Sequence, residues 1–466
     1  MKIITRFIFL LPALLTFAVG SAMADDRPNL LFILSDDHRA DELSCAGNKI
    51  LKTPELDKLV ASGVRFPNAF VTTPICAASR ASILTGLVER THGFTFNKPP
   101  VPKKFVASSY PVKLKKAGYH TGFYGKFGVA IAGGKLNQGA SMFDKFQHLH
   151  RTPYFKKQKD GSMRHVDEII GDRAVSFIRQ RPKDRPFCLS LSFNIAHAED
   201  RDHRPGAGHF PWPKSVDNLY KDTVFPEPRL NDPAIFQAHP KFLRKSINRI
   251  RYHWRWDTPE KYQENMRGRY RMITGMDKII GRVVDTLEKE KLDKNTIIIF
   301  MGDNGYYRGQ RGFAGKWSHY EESLRVPLII RDPRATSKGK LDERVALNID
   351  IAPTLLAAAG VEQPSVYQGV ELLSPATKQK GRQKGRHFFC EHQMVNKTIP
   401  MWEGVRTDRY TYARYTQQKP VYEFLHDRQK DPDQLKNLVK DAEYAETLKR
   451  LRALTDQEIK KARAAR

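Results

Sequence analysis

Apolar runs of strand length recur along the chain, and each ends abruptly in polar residues. Asn29-Leu30-Leu31-Phe32-Ile33-Leu34 runs into Ser35-Asp36-Asp37-His38. Tyr119–Tyr124 leads to Gly125-Lys126, Phe187–Phe193 to Asn194 through His197, and Thr296–Met301 to Gly302-Asp303-Asn304-Gly305. Continuous apolar runs of this length fit strands buried on both faces. Between them lie stretches with helical spacing. Thr53–Gly63 carries Pro54 at its first position, Leu56, Leu59 and Val60 on one face, and Gly63 as a stop. Val112–Ala117, Val166–Arg179 and Tyr262–Leu292 follow, the last as one long helix or two shorter ones. Val326–Arg331 adds a strand and Ile349–Ala359 a helix.

Strands alternating with helices predict an α/β fold built on a large mixed, mostly parallel sheet sandwiched by helices. Ligands bind such sheets outside the carboxyl ends of the strands. Pattern alone therefore sends Asp36, Asp37, Lys126, His197, Asp303 and Asn304 to one edge. Beyond Val370, His387–Cys390, Tyr410–Tyr415 and Val421–Leu425 predict short strands of a small antiparallel sheet, and a basic helix runs from about Ala442 to the end. The expected division is a leader over 1–24, a main domain over 25–369 and a C-terminal α+β subdomain over 370–466. Lys-rich Thr377–Arg386 reads as an exposed linker or hairpin tip. Glu199–Pro259, rich in Pro, Arg, His and Trp without a clean period, reads equally as a surface excursion or a substrate-facing lid.

The leader changes the picture of where the chain works. Lys2 and Arg6 precede an apolar run from Phe7 to Val19, and Ala22-Met23-Ala24 supplies a cleavage site, so the mature chain is expected to begin at Asp25. The run is short for a membrane span, no later segment is longer, and stable membrane insertion is not expected. Export to the periplasm or beyond follows. Removing Lys2 and Arg6 takes the formal charge from +28 to +26. For an exported protein such a charge favours sulfated or carboxylated polysaccharide over nucleic acid, for which no binding signature is present. Cys45, Cys76, Cys188 and Cys390 are too few for a disulfide scaffold, and no Cys/His cluster suggests zinc.

One stretch carries candidate chemistry of its own, Thr73-Pro74-Ile75-Cys76-Ala77-Ala78-Ser79-Arg80-Ala81-Ser82-Ile83-Leu84-Thr85-Gly86. Pro74 ends an extended approach, Ala77 to Leu84 favour a helix, and Gly86 stands where a left-handed cap stops one. Cys76 then lies at the helix N-terminus, where free N–H groups and the macrodipole favour an anion, with Arg80 one turn on along the same face. At the strand ends, Asp36, Asp37, Asp303 and Asn304 form an all-oxygen donor set, which suits a hard cation such as Ca²⁺.

Cys76-Ala77-Ala78-Ser79-Arg80 with Thr85-Gly86 resembles the signature of the type I, formylglycine-dependent sulfatases of the alkaline-phosphatase-like superfamily. Ala78 stands where Pro is commoner. Gly315-Lys316 with Tyr320 to Pro327 resembles the second signature region, and Tyr422 to Leu438 the C-terminal ending, so the resemblance covers most of the mature chain. It implies that a maturation enzyme converts Cys76 to formylglycine (3-oxoalanine), and that Asp36, Asp37, Asp303 and Asn304 hold Ca²⁺ with the residue at 76 completing the shell. In the implied mechanism one hydroxyl of the aldehyde hydrate attacks sulfur, and collapse of the second expels sulfate. Arg80, Lys126 and Lys316 would bind sulfate oxygens, His197 would be the general acid, and Asp303 would orient or deprotonate the attacking hydroxyl. The sequence departs from the family at Gly128, where G-K-x-H is usual; His92, His120, His319 or a metal-bound water are candidates to replace the missing imidazole, and impaired turnover is the equal alternative. The expected function is hydrolysis of sulfate esters, on a sulfated polysaccharide. The alternatives are a phosphodiesterase or phosphonate hydrolase of the same superfamily, or a non-catalytic protein that binds sulfated glycans.

Overall fold

The computed structural model describes residues 26–466 apart from 97–98, 202–208, 337 and 375–384. The leader and most of the Lys-rich Thr377–Arg386 stretch lie outside the described residues. An eight-stranded sheet organises the molecule. Its strands, in chain order, are β1 (Asn29–Ser35), β2 (Val64–Arg65), β3 (His120–Gly125), β4 (Lys145–His148), β5 (Phe187–Ser192), β6 (Thr296–Gly302), β7 (Leu328–Arg331) and β8 (Lys340–Leu341). They lie in the order β8-β2-β7-β6-β1-β5-β3-β4. The run β6-β1-β5-β3-β4 is parallel, whereas β7 pairs antiparallel with both β6 and β2. The sheet is therefore mixed and mostly parallel.

Alternation along β1 shows how the core divides. Leu30, Phe32 and Leu34 point into one apolar cluster, with helices α2 (Cys76–Thr85), α3 (Tyr110–Lys116) and α6 (Ile351–Ala358). Leu31 and Ile33 point into the other, with α1 (Pro54–Ala61), α4 (Val166–Gln180) and α5 (Pro259–Lys289). Both faces are covered, which is why these strands read as unbroken apolar runs rather than alternating ones. The Tyr262–Leu292 spacing resolves into a single helix, α5, which starts on a Thr258 side-chain cap and Pro259.

A four-stranded antiparallel sheet follows, made of Phe388–His392, Trp402–Arg406, Tyr410–Tyr415 and Tyr422–Asp427. The second of these was not expected from the sequence. Helix α7 (Ala445–Ala464) closes this unit, whose residues Trp402, Val405 and Leu451 belong to the same apolar cluster as α2. Among the described residues the excursion after Glu199 holds three short α-helices, Pro233–Gln237, Lys241–Arg244 and Ile247–Arg255, and the last of them is packed against the site segment. Asn248 Nδ2 donates to the Lys316 carbonyl at 2.7 Å, and Arg251 stacks over Trp317 at 5.0 Å. All four cysteines are free thiols.

Candidate active site

The carboxyl ends of β1, β3, β5 and β6 deliver the expected side chains to one place. Helix α2 adds Cys76 at its first position after an extended Ile75, and it ends in left-handed Gly86. Asp36, Asp37, Asp303 and Asn304 are wholly buried; Arg80, Lys126, Lys316, His197 and Cys76 are nearly so.

Carboxylates and cations alternate. Arg80 Nε donates to Asp303 Oδ2 at 2.9 Å, and its NH1 donates to the Lys126 carbonyl and Ser192 Oγ. Lys126 Nζ pairs with Asp36 Oδ2, and Lys316 Nζ with Asp37 Oδ1. Asp303 Oδ1 accepts the Asp37 N–H at 3.0 Å, and Asn304 Nδ2 donates to Asp37 Oδ1 at 2.7 Å. His197 Nδ1 lies 2.7 Å from the Ala198 carbonyl, so that nitrogen carries the proton and Nε2 faces Asp37 Oδ2 at 3.5 Å. Burial and the nearby Arg151, Lys316 and Lys126 push His197 well below its ordinary range. Asp303 moves the other way, pushed up to about 7 by burial and then by Asp36.

Two sets of ligand atoms converge here, Asp36 with Asp37 and His197, and Asp36 with Cys76 and Asp303, each within 4.8 Å of one another. Asp36 Oδ1, Asp37 Oδ2 and Asn304 Oδ1 are buried acceptors without a hydrogen-bond partner. Buried acceptors without donors are costly, and three at one point suit a bound hard cation.

The positions named to replace the missing imidazole do not reach this site. His92 Nε2 meets Ser82 Oγ and its Nδ1 accepts the Phe94 N–H; His120 stacks on Phe177 at the opposite end of β3; His319 Nδ1 meets Tyr415 OH. Gly128 itself has φ +72°, and a Cβ there would lie 3.0 Å from Arg80 Cδ. Restoring the motif by Gly128→His is therefore expected to lower stability by about 1–2 kcal/mol without raising turnover. Thermal unfolding and kcat check this, and a gain in kcat would show that the pocket accepts an imidazole there.

Sequence reading missed two supports. Arg269 on α5 is fully buried, donates to the Asp37 and Ala196 carbonyls, and pairs with Glu42. Its signal was a cation in register with core-facing Met266 and Ile273. Asp167 on α4 accepts the Asn194 and Ile195 N–H groups, fixing the turn that carries His197.

Residues 28–361 match the family described as Sulfatase. The chain belongs to the sulfatase family. Residues 309–461 also match the C-terminal region described for N-sulphoglucosamine sulphohydrolase. The sulfatase is 27% identical over 504 residues to an N-acetylglucosamine-6-O-sulfatase of Bacteroides thetaiotaomicron, covering 92% of this chain and 86% of the relative. It is 28% identical to an arylsulfatase of Clostridium perfringens, covering 93% and 94%. Its structure resembles that of a protein solved with its substrate D-glucosamine-2-N,6-O-disulfate, with a TM-score of 0.79, 25% identity, and coverage of 94% and 98%. The protein is a sulfuric ester hydrolase. Among the described residues no helix is long and apolar enough to cross a membrane.

Proposed function

We propose that this sulfatase is exported and removes sulfate from a sulfated glycan, through a formylglycine made from Cys76 by a maturation enzyme and with a Ca²⁺ ion held by Asp36, Asp37, Asp303, Asn304 and residue 76. The observation that carries the reading is the trio of orphaned buried oxygens, on Asp36, Asp37 and Asn304, beside the thiol at a helix N-terminus. The substrate class follows the N-acetylglucosamine-6-O-sulfatase and disulfated-glucosamine relatives, and the charge, +28 for the full chain and +26 without Lys2 and Arg6, suits a polyanion.

The bound ion would supply charge stabilisation at the sulfo oxygens, and the aldehyde hydrate a hydroxyl nucleophile. The chain's own residues then divide the remaining work. Lys126 and Lys316 each have three N–H donors, of which one goes to a carboxylate, so donors remain for the sulfo oxygens. Arg80 holds Asp303, the Lys126 carbonyl and Ser192 through Nε and NH1, while its NH2, beside Asp303, has no hydrogen bond and remains for a sulfo oxygen. Asp303 orients the group at position 76, and His197, with Nδ1 fixed on Ala198, turns Nε2 to the leaving oxygen and acts as the acid in its doubly protonated form, which an anionic sulfate beside it favours.

Replacing His197 by Ala is expected to slow a sugar sulfate by about 10²–10⁴-fold while sparing 4-nitrophenyl sulfate, whose leaving group needs no proton. Equal losses on both would remove His197 from the acid role. The reading as a whole is tested by the mass of the tryptic peptide Phe66–Arg80 from the native cell, together with sulfate release from sulfated glucosamine. An intact thiol with no sulfate release defeats it. Comparable turnover of the phosphate ester would move the protein to the phosphodiesterase alternative.

A further inference from the structure

A second basic cavity, of about 430 Å³, opens between β2, the segment entering β7, and the 428–434 loop that follows the antiparallel sheet. It shares no residue with the Cys76 cluster. Its rim reaches solvent at Asp41 and Arg229. Six arginines line it, at positions 39, 65, 229, 311, 325 and 428.

The carboxylates around it are already engaged. Asp41 pairs with Arg39 and Arg308, Glu322 with Arg311, Asp433 with Arg229, and Glu321 with Arg406 at 2.6 Å. Three guanidiniums are left over. Arg65 has no carboxylate partner among the described residues, and its Nε is buried without a hydrogen bond. Arg325 spends Nε on the Pro67 carbonyl. Arg428 gives NH2 to the Thr407 and Asp408 carbonyls, and its Nε is buried and unpaired, 4.0 Å from a Glu321 oxygen that Arg406 already holds. Burial and then Arg406 pull Arg428 down to about 10, and burial, opposed in part by Glu321, lowers Arg325.

Two further atoms narrow the ligand. Gln434 Nε2 is an orphaned donor and Glu322 Oε2 an orphaned acceptor, both in the cavity wall. A bare oxyanion would satisfy the donors and leave Glu322 facing like charge. A sugar bearing a sulfate or carboxylate offers acceptors to the arginines and a hydroxyl to Glu322. The volume falls in the range of small-ligand sites, roughly 300–1,000 Å³.

We infer that this cavity is an accessory site for an anionic sugar unit, gripped through Arg65, Arg325 and Arg428 with Glu322 taking a hydroxyl. It draws on the glycan reading only for the kind of chain that carries such a unit.

The test uses the full chain with Cys76→Ala, so that no turnover is needed and a failed catalytic reading gives a separate result. Binding of a heparin tetrasaccharide and of inorganic sulfate is measured by titration calorimetry, with and without the paired change Arg65→Gln and Arg428→Gln. The pair is expected to weaken the tetrasaccharide by about tenfold, or to remove one equivalent, while inorganic sulfate binds this site far more weakly. Unchanged affinity and stoichiometry overturn the proposal. So does inorganic sulfate that matches the tetrasaccharide and depends on the same arginines, because the occupant is then a free ion. Should the paired variant not fold, hydrogen exchange on the Cys76→Ala chain decides. Saturating tetrasaccharide is expected to protect amides around 64–66 and 428–434, and no protection there overturns the site.

Discussion

Cys76→Ala is expected to abolish sulfate release, by more than about 10³-fold, while the fold survives. Cys76 is 7% exposed and opens helix α2, so the change deletes one sulfur and substitutes a better helix former. The expected cost in stability is about 1 kcal/mol or less. The catalytic loss is disproportionate because Ala at 76 offers neither a thiol to mature nor a nucleophile, and the flanking cations then bind sulfate without a reaction. Sulfate release followed by ion chromatography, beside thermal unfolding, separates the two effects. A variant that retains the parental rate would place the chemistry elsewhere.

The second large effect is expected at Asp303→Ala. Its carboxylate accepts from Arg80 Nε at 2.9 Å and from the Asp37 N–H at 3.0 Å, inside a wholly buried cluster. Its loss leaves three cations, Arg80, Lys126 and Lys316, facing two carboxylates, which repels a further cation. Removing one partner of a buried pair costs about 3–5 kcal/mol. Burial and then Asp36 push Asp303 up to about 7 despite the neighbouring Arg80, which offsets part of that cost. Asp303→Asn, which keeps an acceptor for Arg80, is therefore expected to fold well yet lose both bound metal and turnover. Metal content after dialysis, measured beside kcat, reads this directly. Full Ca²⁺ occupancy in the Asn variant would mean that the ion is held by other residues.

The parallel strands and their polar ends were legible because a strand covered on both faces must be apolar throughout, and the residue after it must leave the core. That single constraint located Asp36, Asp37, Lys126, His197, Asp303 and Asn304. The Cys76 segment was legible from its helix chemistry and its family signature. The antiparallel course of β7 was not, since an apolar run carries no direction. Trp402–Arg406 escaped because Glu403, Gly404 and Arg406 interrupt its apolar pattern, although Glu403 and Arg406 are held in ion pairs. The supports of the site escaped for a related reason. Arg269 and Asp167 act through backbone carbonyls and N–H groups of distant segments, and sequence spacing does not record such contacts.

Every residue of α2 is buried, and Cys76 sits at the start of it with Ile75 and Trp317 packed nearby. Under the maturation proposed for Cys76, an oxidising enzyme would have to reach a thiol that the folded molecule leaves only 7% exposed. Conversion would then belong to the time before the chain closes. A molecule that folded first would keep its thiol, and the fraction of active protein in a preparation would be set during synthesis rather than afterwards.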